Sequence, residues 1–118
     1  MLQDFQAGDF LIFQLESGFA LMRILQIDDV SGGPVWHVAT YDDLFLDPEA
    51  ADAALAAPEK LSVSNPHIAL TNRAFESTQV ARMTNVPVGP GESDSVNQWR
   101  DSNGEVSDRS IRLMMGLR

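Results

Sequence analysis

The chain has no cysteine, which excludes disulfides and thiolate metal sites in any compartment. Histidine is nearly as scarce. His37 and His67 stand thirty positions apart, outside any HxH or HxxxH spacing, so no dedicated metal site and no cofactor is expected. No apolar run reaches the roughly 18 residues that a membrane span needs. The opening MLQDFQAGD lacks the basic start and apolar middle of a secretory signal. These absences predict a cytoplasmic protein that does not enter a membrane. Positive charge is the fourth scarcity: Arg23 and Lys60 are the only basic side chains in residues 1–60, against eleven acidic ones.

The remaining composition is that of a folded protein. Of 118 residues 44% are hydrophobic and 21% charged, which suits one domain spanning residues 1–118 that buries roughly 65% of its unfolded surface. The net charge of −9 falls entirely in residues 1–60, because residues 61–118 hold six acids and six arginines. A field of that sign repels phosphate backbones and argues against nucleic-acid binding. It attracts a basic protein surface or a cation.

Residues 9–17 (DFLIFQLES) and 19–29 (FALMRILQIDD) read as a hairpin turning near Gly18, and residues 35–43 (VWHVATYDD) as a third strand after the SGGP reversal at 31–34. In the first strand Phe10 and Ile12 share one face while Leu11, Phe13 and Leu15 share the other. Two apolar faces imply a strand covered on both sides or curled into a small barrel. Residues 47–60 predict a short Ala-rich helix, with Asp47 as cap, Pro48 at the first helical position and Ala50, Ala53, Ala54 and Ala57 on its packing face. Strands are expected at 65–72 and 77–88, and short helices at 93–101 and, capped by Ser107, at 107–116. GPGES (89–93) reads as a linker, and the LTNRAFEST stretch (70–78) as a polar turn. The expected fold is α+β: a curled antiparallel sheet of about five strands, most specifically an SH3-like barrel.

Arg23 sits among Leu21, Met22, Ile24 and Leu25. Regular alternation gives it the same face as Phe19, Leu21, Leu25 and Ile27, so the expectation is a structural ion pair or a snorkelling stem. The candidate partners are Glu16 across the hairpin and Asp42 or Asp43 after the third strand. His37 and Tyr41 share a strand face, and a histidine near a carboxylate is the minimal general-base arrangement. No nucleophile or oxyanion turn accompanies them, so no catalytic residue is assigned.

The stretch AGDFLIFQLESGFALMRIL (7–25) resembles the first hairpin of bacterial immunity-type proteins of polymorphic toxin systems, through Gly8, Asp9, Gly18 and Arg23-Ile24. The resemblance implies a small β-core domain that binds a basic toxin by its surface. Two functional expectations follow. The first is a non-catalytic binding module in which Asp28, Asp29, Asp42, Asp43, Asp47 and Glu49 gather at one end of the meander, with Trp36 or Tyr41 as an apolar anchor. The second is a small enzyme or ligand-binding domain with a groove near Arg23, His37 and Tyr41. The Met-rich end IRLMMGL is a candidate for self-association.

Overall fold

The computed structural model describes residues 5–30 and 33–114. Five strands, β1 (Asp9–Leu15), β2 (Gly18–Val30), β3 (Gly33–Tyr41), β4 (Val63–Thr71) and β5 (Val80–Asn85), form one antiparallel sheet in the order β4-β3-β2-β1-β5. Helices α1 (Pro48–Ala54), α2 (Asn72–Glu76), α3 (Pro90–Asp101) and α4 (Ile111–Met114) and a single 3-10 turn, Pro58–Lys60, complete the α+β fold. At the β1–β2 turn Gly18 has φ 155°, and a Cβ there would lie 2.8 Å from the Phe45 carbonyl oxygen. Only glycine lets the Phe45 backbone bridge to Phe19 so closely.

The sheet is open. β4 and β5 are its edges and do not pair with each other, so the SH3-like barrel expected from the two-faced β1 pattern is not formed. Helices satisfy that pattern instead of closure. On one face Phe10, Ile12, Leu21 and Tyr41 pack with Ala51 and Leu55 at α1, and Leu25 and Ala39 pack with Val96 of α3. On the other, Leu11, Phe13, Met22, Ile24, Val38 and Leu70 pack with Ala74 and Phe75 of α2 and Ile111 of α4. Burying ten or so large apolar side chains on two faces, at about 1.5–3 kcal/mol each, makes the middle of the sheet the core.

Several elements differ from expectation for identifiable reasons. The Ala-rich helix stops at Ala54, and its buried positions are Ala51 and Leu55 rather than the alanine face at 50, 53, 54 and 57. Leu55 is the one large apolar side chain of the segment and sets which face turns inward. A β-bulge between Ile24 and Gln26 breaks the alternation of β2. Leu25 therefore stays on the α1/α3 face with Arg23, whereas Ile27 crosses to the opposite core. GPGES is not a linker: Gly89 caps α3, Pro90 opens it, and Glu92 Oε1 accepts from Gly89 N at 3.1 Å. Ser107 joins Leu70 through a parallel bridge, and Ser110 caps α4 by accepting from Leu113 N at 3.3 Å. Ser31 and Gly32 of the SGGP reversal, and Met115 and Gly116 of the last predicted helix, lie outside the described residues.

Candidate functional site

Helix α3 organises the polar side chains of the α1/α3 face. Its residues Glu92, Val96, Trp99 and Arg100 recur at helical spacing, so they lie on one side. Glu92 Oε2 lies 3.1 Å from Arg23 Nη1. Val96 covers Leu25 and Ala39. Trp99 packs edge-on against His37 and His67, with centroids 4.8 and 6.0 Å apart. Arg100 Nη2 lies 3.2 Å from Asp28 Oδ2.

Arg23 is 6% exposed, and it is held from three directions. Its Nη2 donates to the carbonyls of Val86 at 2.5 Å and Pro87 at 3.1 Å, Nη1 pairs with Glu92, and the guanidinium carbon lies 4.8 Å from the Phe10 ring centroid. The structural ion pair is present, but its carboxylate comes from α3 and not from the first or third strand, as the strand reading expected. Asp43 Oδ1 instead accepts from Ser62 N at 2.7 Å. Arg23 and Tyr41 line a half-open pocket of about 310 Å³ with Glu92, Glu59, Leu61 and Val63. Burial raises the Tyr41 hydroxyl above its ordinary pKa; nearby Glu92 adds to this and Arg23 opposes it.

His37 does not reach this pocket. Val96 covers Ala39, the residue between His37 and Tyr41 on the shared face, so α3 divides the expected groove in two. His37 is fully buried and forms the centre of a chain: Nε2 lies 2.9 Å from Asp28 Oδ2, and Nδ1 lies 2.8 Å from His67 Nε2. A nitrogen–nitrogen separation that short is an in-plane hydrogen bond rather than ring stacking. Because the ionised carboxylate can only accept, His37 Nε2 donates to Asp28. A neutral His37 then accepts from His67 through Nδ1. Burial works to raise the Asp28 carboxyl, but hydrogen bonds from Gln26, His37 and Arg100 outweigh it and hold the pKa below the ordinary value. His67 is pushed down to about 4, first by burial and then by the adjacent His37. Among the described residues no group of three or more His, Asp or Glu side chains is arranged to hold a metal.

The proposed acidic patch is split. Asp28 pairs with Arg100 at the far end of β2, where Asp29 faces Pro34 across the ladder. Asp42, Asp43, Asp47 and Glu49 follow the opposite end of β3. Met22↔Thr40 and Asp28↔Val35 are six positions apart along β2, about 20 Å at ~3.3 Å per residue. The expected anchors are committed inside: Trp36 stacks on Phe75 at 3.9 Å and donates to Asn72 Oδ1, and Tyr41 is 5% exposed beside Phe10. Near this stretch the outward apolar side chains are Leu46, 91% exposed, and, less so, Leu44 and Val63. Leu46 lies between Asp43 and Asp47, where Asp47 caps α1 by accepting from Ala50 N. At the C-terminus Ile111 is buried and Met114 packs on the core, leaving Leu113 exposed.

No protein-family model matches the sequence, and neither a curated protein nor a solved structure matches it. The site residues missed by sequence are Glu92, Trp99 and Arg100 of α3 and Leu46. For the first three, the spacing of 92, 96, 99 and 100 was the available signal, obscured by the Gly-Pro-Gly that precedes it.

Proposed function

We propose that the protein is a non-catalytic, cytoplasmic binding module, possessing an immunity-type role, that meets a basic protein partner with residues 42–59. The observation that carries this reading is Leu46: a leucine 91% exposed, set in a stretch with Asp42, Asp43, Asp47, Glu49, Asp52 and Glu59 against the single base Lys60. An apolar contact framed by charges of one sign suits a complementary basic surface, with the leucine as the desolvated centre and the acids steering approach. The resemblance of Gly8, Asp9, Gly18 and Arg23-Ile24 to immunity-type proteins supports a toxin as the partner. Asp28 lies apart from this stretch, neutralised by Arg100, and the buried Tyr41 packs with Ala51 and Leu55 beneath it.

Co-expression with the product of each adjoining reading frame tests the proposal. The expected result is a stable complex with a basic product whose toxicity the protein suppresses. Leu46→Asp should weaken that complex at least tenfold while leaving the unfolding midpoint unchanged. A basic neighbour that forms no complex, or one whose complex ignores Leu46→Asp, would overturn the reading.

A further inference from the structure

The pocket beside Arg23 lies within the same acidic region. Tyr41 leads directly into Asp42 and Asp43, and Asp43 ties down Ser62, between the lining residues Leu61 and Val63. Its volume of about 310 Å³ is at the bottom of the range for ligand sites, large enough for one long side chain.

The lining separates into three parts. Pro58, Leu61 and Val63 supply aliphatic walls, and Val63 is 53% exposed with nothing else assigned to it. Arg23 and Tyr41 form the buried floor. Glu59 stands exposed at the pocket, with no ion-pair or hydrogen-bond partner among the described residues. The charge of Arg23 is already answered by Glu92 and by two carbonyls. The three charged groups therefore sum to one negative charge, carried by Glu59. An anion entering would meet two carboxylates and an already paired guanidinium, whereas a cation meets one uncommitted carboxylate and a phenol oxygen that Arg23 also hydrogen-bonds.

We propose that this pocket is the socket for a cationic side chain on an aliphatic stem, an arginine or lysine presented by the basic partner. The stem lies along Pro58, Leu61 and Val63, and the head reaches Glu59 and the Tyr41 hydroxyl. This rests on the protein-binding reading above and adds to it a specific point of recognition.

The probe is Nα-acetyl-arginine amide, titrated into the labelled full-length protein by NMR, with Nα-acetyl-citrulline amide as the uncharged isostere. The expected result is saturable shifts of the Leu61 and Val63 methyl groups in the millimolar range, about threefold to fivefold weaker with citrulline. Glu59→Gln, an exposed position, should abolish the preference for arginine without moving the unfolding midpoint. Equal binding of both probes, shifts confined to other regions, or no saturable shift at tens of millimolar would each overturn the socket. These outcomes are separable from failure of the partner reading, because Leu46→Asp does not touch the pocket and the citrulline comparison needs no partner. A complex that forms and depends on Leu46 while the probe fails would remove the socket and leave the interface.

Discussion

At the scale of single residues, buried charges with several partners decide local stability. Asp9 is fully buried and accepts from Gln6 N at 2.9 Å and Asn85 Nδ2 at 2.7 Å, with Arg82 Nε 3.1 Å away. Asp9→Ala should destabilise by about 3 kcal/mol in urea unfolding, because it strips partners from three groups at once. Arg23→Ala removes the donor to Glu92 Oε2 and to two carbonyls, and about 2–4 kcal/mol is expected, with Arg23→Met recovering only the part due to stem packing. The His67 site gives a pH signature. Its folded pKa of about 4 lies below the ordinary 6.5, so the unfolded chain binds the proton first as pH falls. Stability should decline between pH 6.5 and 4, by about 2–3 kcal/mol in total, with His37 and Trp99 against the titrating ring and Asp28 and Arg100 beyond His37. Asp28, whose folded pKa is lowered, adds its own loss only below its ordinary pKa of 3.8. His67→Gln should remove the decline above pH 4, read from urea midpoints across the window; an unchanged slope would contradict this assignment.

At the scale of elements, α3 joins two separate polar sites to one sheet face, with Glu92 at its first turn and Arg100 at its last. Glu92→Gln should loosen Arg23 and the Gly89 cap together. Amide exchange in α3 is expected to quicken about tenfold, equivalent to roughly 1.4 kcal/mol, with α2 on the opposite face unchanged. Legibility also differed between elements. The two apolar faces of β1 were readable because Phe10, Ile12 and Leu11, Phe13, Leu15 alternate without interruption. What covers them was not, since closure and helices satisfy the same pattern. The bulge at Leu25 leaves no mark on β2 itself and exists only against β3, so Ile27 could not be assigned to its face. Gly89-Pro90-Gly91 carries helix-breaking residues that also start helices, and choosing the wrong sense hid Glu92 as the partner of Arg23. His37 beside Asp28 was missed for a similar reason: the bulge aligns Gln26 opposite His37, which brings Asp28 to the same face.

For the whole molecule, folding redistributes the charge that the sequence keeps in one half. Arg82 and Arg100 from the second half meet Asp9 and Asp28 from the first. Beyond the end of β3, Glu49, Asp52 and Glu59 have no ion-pair partner among the described residues, and Glu16, Asp29, Glu76, Asp94, Asp101 and Glu105 have none elsewhere. No helix among the described residues is long and apolar enough to cross a membrane. In the proposed function, a basic partner meets the acid-rich surface around Leu46. The measurement that tests this most directly is the association rate with the basic product of an adjoining reading frame, followed by stopped flow as salt is raised. The rate should fall about tenfold or more as the screening length contracts from ~10 Å at 0.1 M to ~3 Å at 1 M. Glu49→Lys with Asp52→Lys should slow association at low salt and remove most of that dependence. A complex that forms at the same rate at every salt concentration, indifferent to the double reversal, would contradict the account.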